Sequence, residues 1–187
     1  MATVIAGMTT SLDGFVADSS GSASRLYPDL EALRNTDFMQ DAIEQTGAVL
    51  MGRRAFEMGD PDTYVGNYEF QVPIFVLTHH PPETAPKQDE HLTFTFVTDG
   101  VESAVEQARA AAGAKAVQVI GGASTMQQLL GAGLVDKLRI DVMPVVFGGG
   151  LRLLDDIDPE RVQLEKTGVQ EVGARTSLTF RVVSRAS

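Results

Sequence analysis

The chain of 187 residues contains no cysteine and only three histidines, His79, His80 and His91. Without cysteine it can form no disulfide, cannot bind zinc through thiolates and has no cysteine nucleophile. His79 and His80 are adjacent, so on an extended chain their side chains point to opposite faces and are poorly placed to share a metal ion. We therefore predict that the protein has no metal site.

Long apolar runs and an excess of positive charge are also missing. No segment approaches the roughly 20 consecutive apolar residues that cross a membrane, and the N-terminus "MATVIAGMTTSLDG" lacks the basic and apolar regions of a signal peptide. With 15 lysines and arginines against 25 aspartates and glutamates, the formal net charge is -10, which disfavours nucleic acid as a partner. The sequence predicts a cytoplasmic protein that binds neither membranes nor nucleic acids, while a local concentration of cations could still bind a small anion.

What the sequence does contain is a series of short apolar segments that are typical of strands. Three nearly continuous apolar runs suit strands buried on both faces of a sheet: residues 48–51, 73–78 and 116–120. After residue 135 polar and apolar residues alternate instead, as in antiparallel strands with one wet face. We predict a mixed, mostly parallel sheet with an antiparallel edge formed by the last third of the chain.

Helical spacing of apolar residues separates these strands. It covers residues 29–46, 99–113 and 124–133. The first helical segment is interrupted near Asn35 and Thr36, and Gly47 is its predicted stop. Because no linker or internal repeat divides the chain, we predict one α/β domain over residues 1–187, with helices flanking the sheet.

The segment "VIGGASTMQ" places Gly121 and Gly122 at the carboxyl end of a predicted central strand, directly before a helix. Ligands bind at this position in open α/β sheets because helix N-termini present unpaired N–H groups to anions. The pair could equally make a tight strand-to-helix turn. Ser124 with Gln127 also spells a capping box, which would give the serine hydroxyl a structural role.

Two other strand ends carry polar groups. In "LMGRRAFE" Gly52 precedes Arg53 and Arg54, whose guanidinium groups suit phosphate, although an exposed pair near Glu57 is the simpler reading for one of them. In "FVLTHH" the strand ends at Thr78 and His79, which could also lie in an ordinary surface loop. If the three strands are neighbours, their ends form one cradle for a phosphorylated ligand.

At this point the sequence resembles the dihydrofolate-reductase-like superfamily, and within it the reductase domain of riboflavin biosynthesis and its single-domain relatives. The resemblance rests on "TTSLDGFVA", "LMGRRAFE", "FVLTHH", "VIGGASTMQQLL" and "LVDKLRIDVMPVVFGGGLRLL", in the family's order. It implies a three-layer fold with a mixed, mostly parallel central sheet, NADPH as hydride donor, and a homodimer.

The resemblance also implies which residues bind the cofactor. Val16 and Ala17 match the loop whose backbone meets the nicotinamide amide, and Thr78 and His79 match the strand end near the 2′-phosphate. The remaining matches are the phosphate-binding turn and the strand and helix around the glycine pair: Gly52, Arg53, Arg54, Ile120, Gly121, Gly122, Ala123, Ser124 and Thr125. Ala55 departs from the family, which commonly has a threonine hydroxyl in this turn.

We therefore expect NADPH-dependent reduction of a C=N, C=O or C=C bond in a small substrate, possible examples being pterin-like or aminopyrimidine-like molecules. Asp37 and Asp13 are the candidate proton donors, although Asp13 and Gly14 also form a common turn pair. The substrate pocket is expected around residues 27–39, 64–70 and 147–151. The alternatives are a non-catalytic NADPH-binding protein of the same fold, and an interaction module in which the glycine turns are purely structural.

Overall fold

The computed structural model describes residues 1–184. Along the chain the elements are β1 (Val4–Ser11), β2 (Phe15–Ala17), α1 (Leu30–Arg34), α2 (Asp37–Gln45), β3 (Thr46–Gly52), α3 (Arg53–Met58), β4 (Ile74–Leu77), β5 (Phe94–Val97), α4 (Val101–Ala112), β6 (Ala116–Ile120), α5 (Ala123–Gly131), β7 (Lys137–Met143), β8 (Leu151–Arg152), β9 (Val162–Val172) and β10 (Arg175–Ser184). Short 3-10 turns lie at Ser24–Leu26 and Pro61–Thr63.

Eight of these strands form one sheet in the order β5-β4-β3-β6-β1-β7-β10-β9. The first six strands in this order are parallel to one another, whereas β10 pairs antiparallel with both β7 and β9. The two short strands β2 and β8 pair with each other, outside this sheet. The predicted mixed sheet with an antiparallel C-terminal edge is confirmed.

Helices cover the sheet on both faces, which gives the three predicted layers. On one face α4 and α5 contribute Val105, Ala108, Met126 and Leu129 to an apolar core. On the other face Phe56 of α3 packs in a second apolar core. Each core buries apolar side chains from the parallel strands between them, which explains why these strands are nearly continuous apolar runs.

The break in the first helical segment is confirmed, since Asn35 and Thr36 separate α1 from α2. The prediction that Gly47 stops the helix is wrong, because α2 ends at Gln45 and Gly47 lies within β3. A Cβ atom at Gly47 would lie 2.6 Å from the carbonyl oxygen of Ala112 at the end of α4. This glycine therefore lets a strand and a helix end approach each other.

The sheet face that packs against α2 and α3 changes character along the strand order. On β3 and β4 it presents apolar residues such as Val49 and Ile74. Beyond them, Thr9 of β1 lies opposite Asp141 of β7, which in turn lies opposite Ser177 of β10, and all three side chains are buried. Because residues directly opposite each other point to the same face, this half of the face is polar.

Candidate active site

Three strand ends meet at the carboxyl edge of the sheet. β4, β3 and β6 are neighbours in that order, and Gly52 of β3 lies opposite Leu77, the last residue of β4. The pairing of β3 with β6 brings Gly52 to the level of Gly121 and Gly122. The condition stated from the sequence, that these strands are neighbours, is therefore met, and "MGRR", "LTHH" and "VIGG" share one edge.

Bare backbone from β3 and β6 converges at the start of α5. Gly121 and Gly122 have φ angles of +72° and +82°, a conformation that strongly favours glycine. A Cβ atom at Gly121 would lie 2.7 Å from the Cβ of Ala55, and one at Gly122 would lie 3.3 Å from Oγ1 of Thr125. A Cβ atom at Gly52 would collide with the same Thr125 oxygen. The three glycines therefore allow β3, α3 and the start of α5 to pack closely together, and the tight strand-to-helix turn is found.

The N-terminus of α5 is left uncapped by side chains. Gly122 is the residue before the helix and supplies no side-chain hydrogen bond. The predicted capping box is wrong, because Ser124 lies inside the first turn, where its Oγ accepts a hydrogen bond from Nε2 of Gln128 at 3.2 Å. Gln127 instead donates to the carbonyl oxygen of Leu153 at 3.0 Å. Within residues 1–184 no side chain accepts from the N–H groups of this turn, so an anion could do so.

The two adjacent arginines differ in their partners. Nε of Arg53 donates to Oε1 of Glu57 at 2.6 Å, and both side chains are about half exposed. Arg54 is exposed and has no ion-pair partner in the described part of the chain. The exposed pair expected for one arginine is found at Arg53, which leaves the Arg54 guanidinium available at this edge.

The turn after β4 is held by the hydroxyl group of Thr78. Oγ1 of Thr78 donates to the carbonyl oxygen of His80 at 3.0 Å and accepts from the His80 N–H at 3.2 Å. Thr78 is buried by this turn, whereas the side chain of His79 is exposed.

Across residues 1–184 no group of three or more histidine, aspartate or glutamate side chains is arranged to hold a metal ion.

The loop that contains Val16 and Ala17 is held by the segment before β8. Oδ1 and Oδ2 of Asp13 accept hydrogen bonds from the N–H groups of Phe147 at 3.1 Å and Gly148 at 2.7 Å. Ala17 of β2 pairs with Leu151 of β8. Gly150, with φ of +131°, packs so closely on the Ala17 carbonyl that any side chain would collide with it.

These contacts bear on Asp13 as a proton donor. Its hydrogen bonds with Ser11 and with the N–H groups of Gly148 and Phe147 lower the pKa of Asp13 to about 2. A carboxyl with this pKa is ionised near neutrality and has no proton to give. The contacts support a structural role for Asp13 in this turn. The Gly148–Gly150 cluster packs against the same loop and helps to hold it in place.

The other candidate acid, Asp37, lies at the edge of the polar sheet face. It is the exposed first residue of α2, and no described side chain pairs with its carboxylate. The next residue, Phe38, covers the polar face, because Cζ of Arg139 lies 4.9 Å from its ring centre. Asp37 is therefore beside this face and in contact with solvent.

The polar face contains groups that sequence reasoning missed: Thr9, Gln118, Arg139 and Asp141. Gln118 and Asp141 are only 3% and 6% exposed. Nε of Arg139 and Oδ1 of Asp141 are buried without a hydrogen-bond partner among the described residues. The signal was present in "DKLRIDVM", where charged residues alternate along a strand, but sequence reasoning assigned that side to solvent.

A buried ion pair and a tyrosine cover the polar face near Thr9. Arg175 is 1% exposed and donates through Nε and Nη2 to the Asp29 carboxylate at 3.2 Å and 2.5 Å. Burial raises the pKa of Tyr27, while its hydrogen bond with Thr9 acts in the opposite direction. The expected pocket segment at residues 27–39 thus lies over the polar face.

The expected pocket segment at residues 64–70 does not line this face. Tyr64 and Phe70 are buried in the second apolar core, where the Tyr64 ring lies edge-on to Phe94 at 5.5 Å between centres. The aromatic residues of this segment therefore support the sheet beneath β4 and β5.

Among the described residues, no helix is both long and apolar enough to cross a membrane.

Comparison with known proteins places this geometry in a family. The family model described as the RibD C-terminal domain matches residues 2–178. The chain belongs to this family. Among curated proteins, the uncharacterized protein YwjB of Bacillus subtilis is 26% identical over 173 residues, which cover 92% of this chain and 94% of the relative.

Solved structures of RibD-type and folate reductases share the fold. A protein of Shewanella sp. PV-4 named for riboflavin biosynthesis is 23% identical, with a TM-score of 0.75 over 98% of this chain and 99% of its own. The deaminase and 5-amino-6-(5-phosphoribosylamino)uracil reductase of Thermotoga maritima is 14% identical, with a TM-score of 0.71 over 97% of this chain and 57% of its own. Dihydrofolate reductase of Enterococcus faecalis, solved with NADP(H), is 19% identical, with a TM-score of 0.57 over 96% of each chain. The dihydrofolate-reductase-like fold is therefore confirmed.

Proposed function

We propose that this RibD C-terminal domain protein is an NADPH-dependent reductase of a small, pterin-like or aminopyrimidine-like substrate. The observation that carries the proposal is the convergence of Gly52, Gly121 and Gly122 at the uncapped start of α5. Bare backbone beside unpaired N–H groups suits the pyrophosphate of a dinucleotide. Membership of a reductase family supports the same conclusion.

Two regions of the chain fit the ends of the cofactor. The first turn of α5, Ala123, Ser124 and Thr125, would hold the pyrophosphate, with Ile120 behind it. Arg54, with Arg53, Thr78 and His79 nearby, would hold the 2′-phosphate side, and the braced backbone of Val16 and Ala17 would hold the nicotinamide amide. Bound NADPH would supply a hydride to a C=N, C=O or C=C bond of the substrate.

The polar sheet face is the natural place for the substrate. It lies beside the glycine pair, since Gly7 of β1 is paired with Ile120 and also with Arg139. The residues of this face orient the substrate, while Phe38 and Tyr27 exclude water. Asp37, next to Phe38, remains the candidate proton donor, whereas the low pKa of Asp13 favours a structural role there.

The alternative is a non-catalytic NADPH-binding protein with the same cradle. The exposure of Asp37 and the alanine at position 55 favour it. Turnover separates the two: oxidation of NADPH with any member of a panel of pterins, aminopyrimidines and quinones supports the reductase. Binding of NADPH without turnover across the panel supports the binding protein.

NADPH titration monitored by fluorescence tests the cofactor assignment. Wild-type protein should bind NADPH at micromolar concentration, and Gly122→Val should lose most of this affinity, because Gly122 has a positive φ and lies next to Thr125. Gly131→Val is the matched control on the same helix, since nothing lies within 4 Å of a Cβ atom there. Equal affinities in the two variants would remove the glycine pair from the site.

The assembly state is a separate proposal. We propose a homodimer, which the family resemblance implied, and the surface of the β9–β10 hairpin supports it. Leu164 and Val169 are 41% and 57% exposed, and they lie opposite Val182 and Leu178 on one face. Sedimentation velocity should show a dimer, and Val169→Asp should shift it towards monomer. A cytoplasmic location and preference for NADPH over NADH stay predictions.

A further inference from the structure

We infer that Arg139, Gln118 and Asp141 determine substrate specificity by binding a neutral, planar molecule through an edge that carries a C=O beside an N–H. This inference rests on the proposed function, since it names the substrate chemistry of the same site. It follows from three polar side chains that point to one face of the sheet and have no hydrogen-bond partner among the described residues.

The donors of the site converge over a glycine. A Cβ atom at Gly7 would lie 3.2 Å from Nε2 of Gln118 and 3.3 Å from Nη2 of Arg139. Neither side chain makes a hydrogen bond within residues 1–184, and Nε of Arg139 is buried. Buried polar groups are nearly always paired. A carbonyl oxygen above Gly7 would accept hydrogen bonds from both groups.

The acceptor lies next to these donors. Asp141 is 6% exposed, and its Oδ1 is buried with no partner among the described residues. Its Oδ2 lies 4.0 Å from Nε of Arg139, which is close enough for charge attraction and too far for a hydrogen bond. The pair therefore has one free donor side and one free acceptor side, which match a C=O and an adjacent N–H.

The charge of the face favours a neutral ligand. Arg139 faces Asp141, and Arg175 on the same face is paired with Asp29, so the buried charges of the face are balanced. Lys137 and Arg181 lie on the same face further along β7 and β10, but both are exposed, and Arg181 is paired with Glu165. A carboxylate would meet the Asp141 charge and a cation would meet Arg139, so either would leave a buried charge without balance. An amide, lactam or imide edge satisfies both partners without adding charge.

The aromatic side chains that cover the site favour a planar ligand. The Phe38 ring lies over the Arg139 guanidinium at 4.9 Å, and Tyr27 covers Thr9 further along the face. α2 has no fully buried side chain, so its N-terminal turn can move aside at low cost. A flat ligand would then lie against the Phe38 ring, with its polar edge directed at the side chains of Arg139, Gln118 and Asp141.

A matched set of bicyclic probes tests this inference on the full chain. 2-Quinolone presents the C=O and N–H edge, 2-methoxyquinoline lacks the donor, and quinoline-2-carboxylate is an anion of similar shape. Calorimetric titration, with and without saturating NADPH, should show 2-quinolone binding at least about tenfold more tightly than the others, because each mismatch leaves a buried group unpaired. Equal affinities, or tighter binding of the carboxylate, would overturn the inference.

Variants tie the preference to the named residues. Arg139→Met and Asp141→Asn should each reduce the preference for 2-quinolone to within about threefold, while Arg181→Met, an exposed arginine paired with Glu165, should keep it. Circular dichroism melting establishes that each variant is folded. A folded Asp141→Asn protein with the full preference would contradict the inference.

The result is separable from the proposed function. NADPH binding by protein that shows no probe preference would reject the inference and leave the cofactor proposal standing. A wild-type preference for 2-quinolone in protein that never binds NADPH would support the recognition residues and reject the reductase.

Discussion

At the scale of single residues, one contact joins the two glycine motifs. Thr125 is 6% exposed, and its Oγ1 occupies the space where a side chain at Gly52 would begin. The φ angle of Gly52 is -81°, so its backbone conformation suits any residue. The requirement for glycine at position 52 is thus steric and comes from a residue distant in sequence.

This steric origin predicts a rescue. Gly52→Ala should lower the free energy of unfolding by about 1–3 kcal/mol through overpacking, and adding Thr125→Ala should recover most of that loss relative to Thr125→Ala alone. Urea unfolding of the four proteins in the double-mutant cycle measures the coupling. Additive effects would show that the two residues do not meet.

The two arginines predict unequal effects on cofactor affinity. Arg54→Ala should weaken NADPH binding by roughly threefold to tenfold, because a charge-assisted hydrogen bond to phosphate is lost. It should affect NADH less, since NADH has no 2′-phosphate. Arg53→Ala should weaken NADPH binding less than Arg54→Ala does, because the Arg53 guanidinium is already paired with Glu57. Fluorescence titration with both nucleotides measures the difference, and an equal loss for NADPH and NADH would place Arg54 away from the 2′-phosphate.

At the scale of elements, the loop from Ser11 to Ala17 depends on a partner far along the chain. Asp13 accepts from the backbone of residues 147 and 148, and β2 pairs with β8. Asp-Gly in "SLDGF" predicted a turn from local sequence, and the structure has a turn at this position. What the local sequence could not indicate is that the aspartate also fixes a second loop.

The brace predicts a stability difference that depends on pH. The pKa of Asp13 is about 2 in the folded protein, below the ordinary value of 3.8, so ionised Asp13 stabilises the fold above about pH 4. The wild type should therefore be more stable than Asp13→Asn by a constant margin above that pH, and the margin should shrink as the pH falls towards 2. Urea unfolding of both proteins from pH 2 to pH 7 tests this.

The same experiment distinguishes the two roles of Asp13. A margin that changes between pH 5 and pH 7 would mean that the carboxyl carries a proton near neutrality, as a general acid does. That outcome would contradict the structural role and return Asp13 to the catalytic candidates.

At the scale of the whole molecule, the two halves of the sheet have different proposed roles. The parallel strands β3, β4 and β6 end in the proposed cofactor cradle, while β1, β7 and β10 present the polar face. The cradle is built from segments around positions 52, 78 and 121, so a ligand there contacts parts of the chain far apart in sequence. Binding should therefore stabilise the fold as a unit.

This predicts a ligand-dependent melting temperature. NADPH at a hundred times its Kd should raise the free energy of unfolding by ~2.7 kcal/mol through mass action, which corresponds to a Tm increase of about 5–10 °C for a domain of this size. Differential scanning calorimetry measures the shift, with Gly122→Val as the control that should show little of it. An unchanged wild-type Tm would contradict NADPH binding.

Local sequence determined the elements of this protein, because the period of apolar residues and the position of glycines act over a few residues. It indicated the strands, the break at Asn35 and Thr36, and the glycines at the strand ends. It misplaced the roles of Gly47 and Ser124, since their neighbours, Ala112 and Gln128, are set by helix packing and by the true start of α5.

Only the tertiary structure decided which strands are neighbours and which polar residues are buried. Arg139 and Asp141 alternate along β7 as they would on a solvent-facing strand, and nothing local distinguishes the two cases. Asp141 is buried and Arg139 is partly buried because β7 lies between β1 and β10 and because Phe38 lies over the Arg139 guanidinium. Burial depends on contacts across the whole chain, whereas periodicity depends on adjacent residues. The proposed cofactor glycines could therefore be identified from the sequence, and the buried polar face could not.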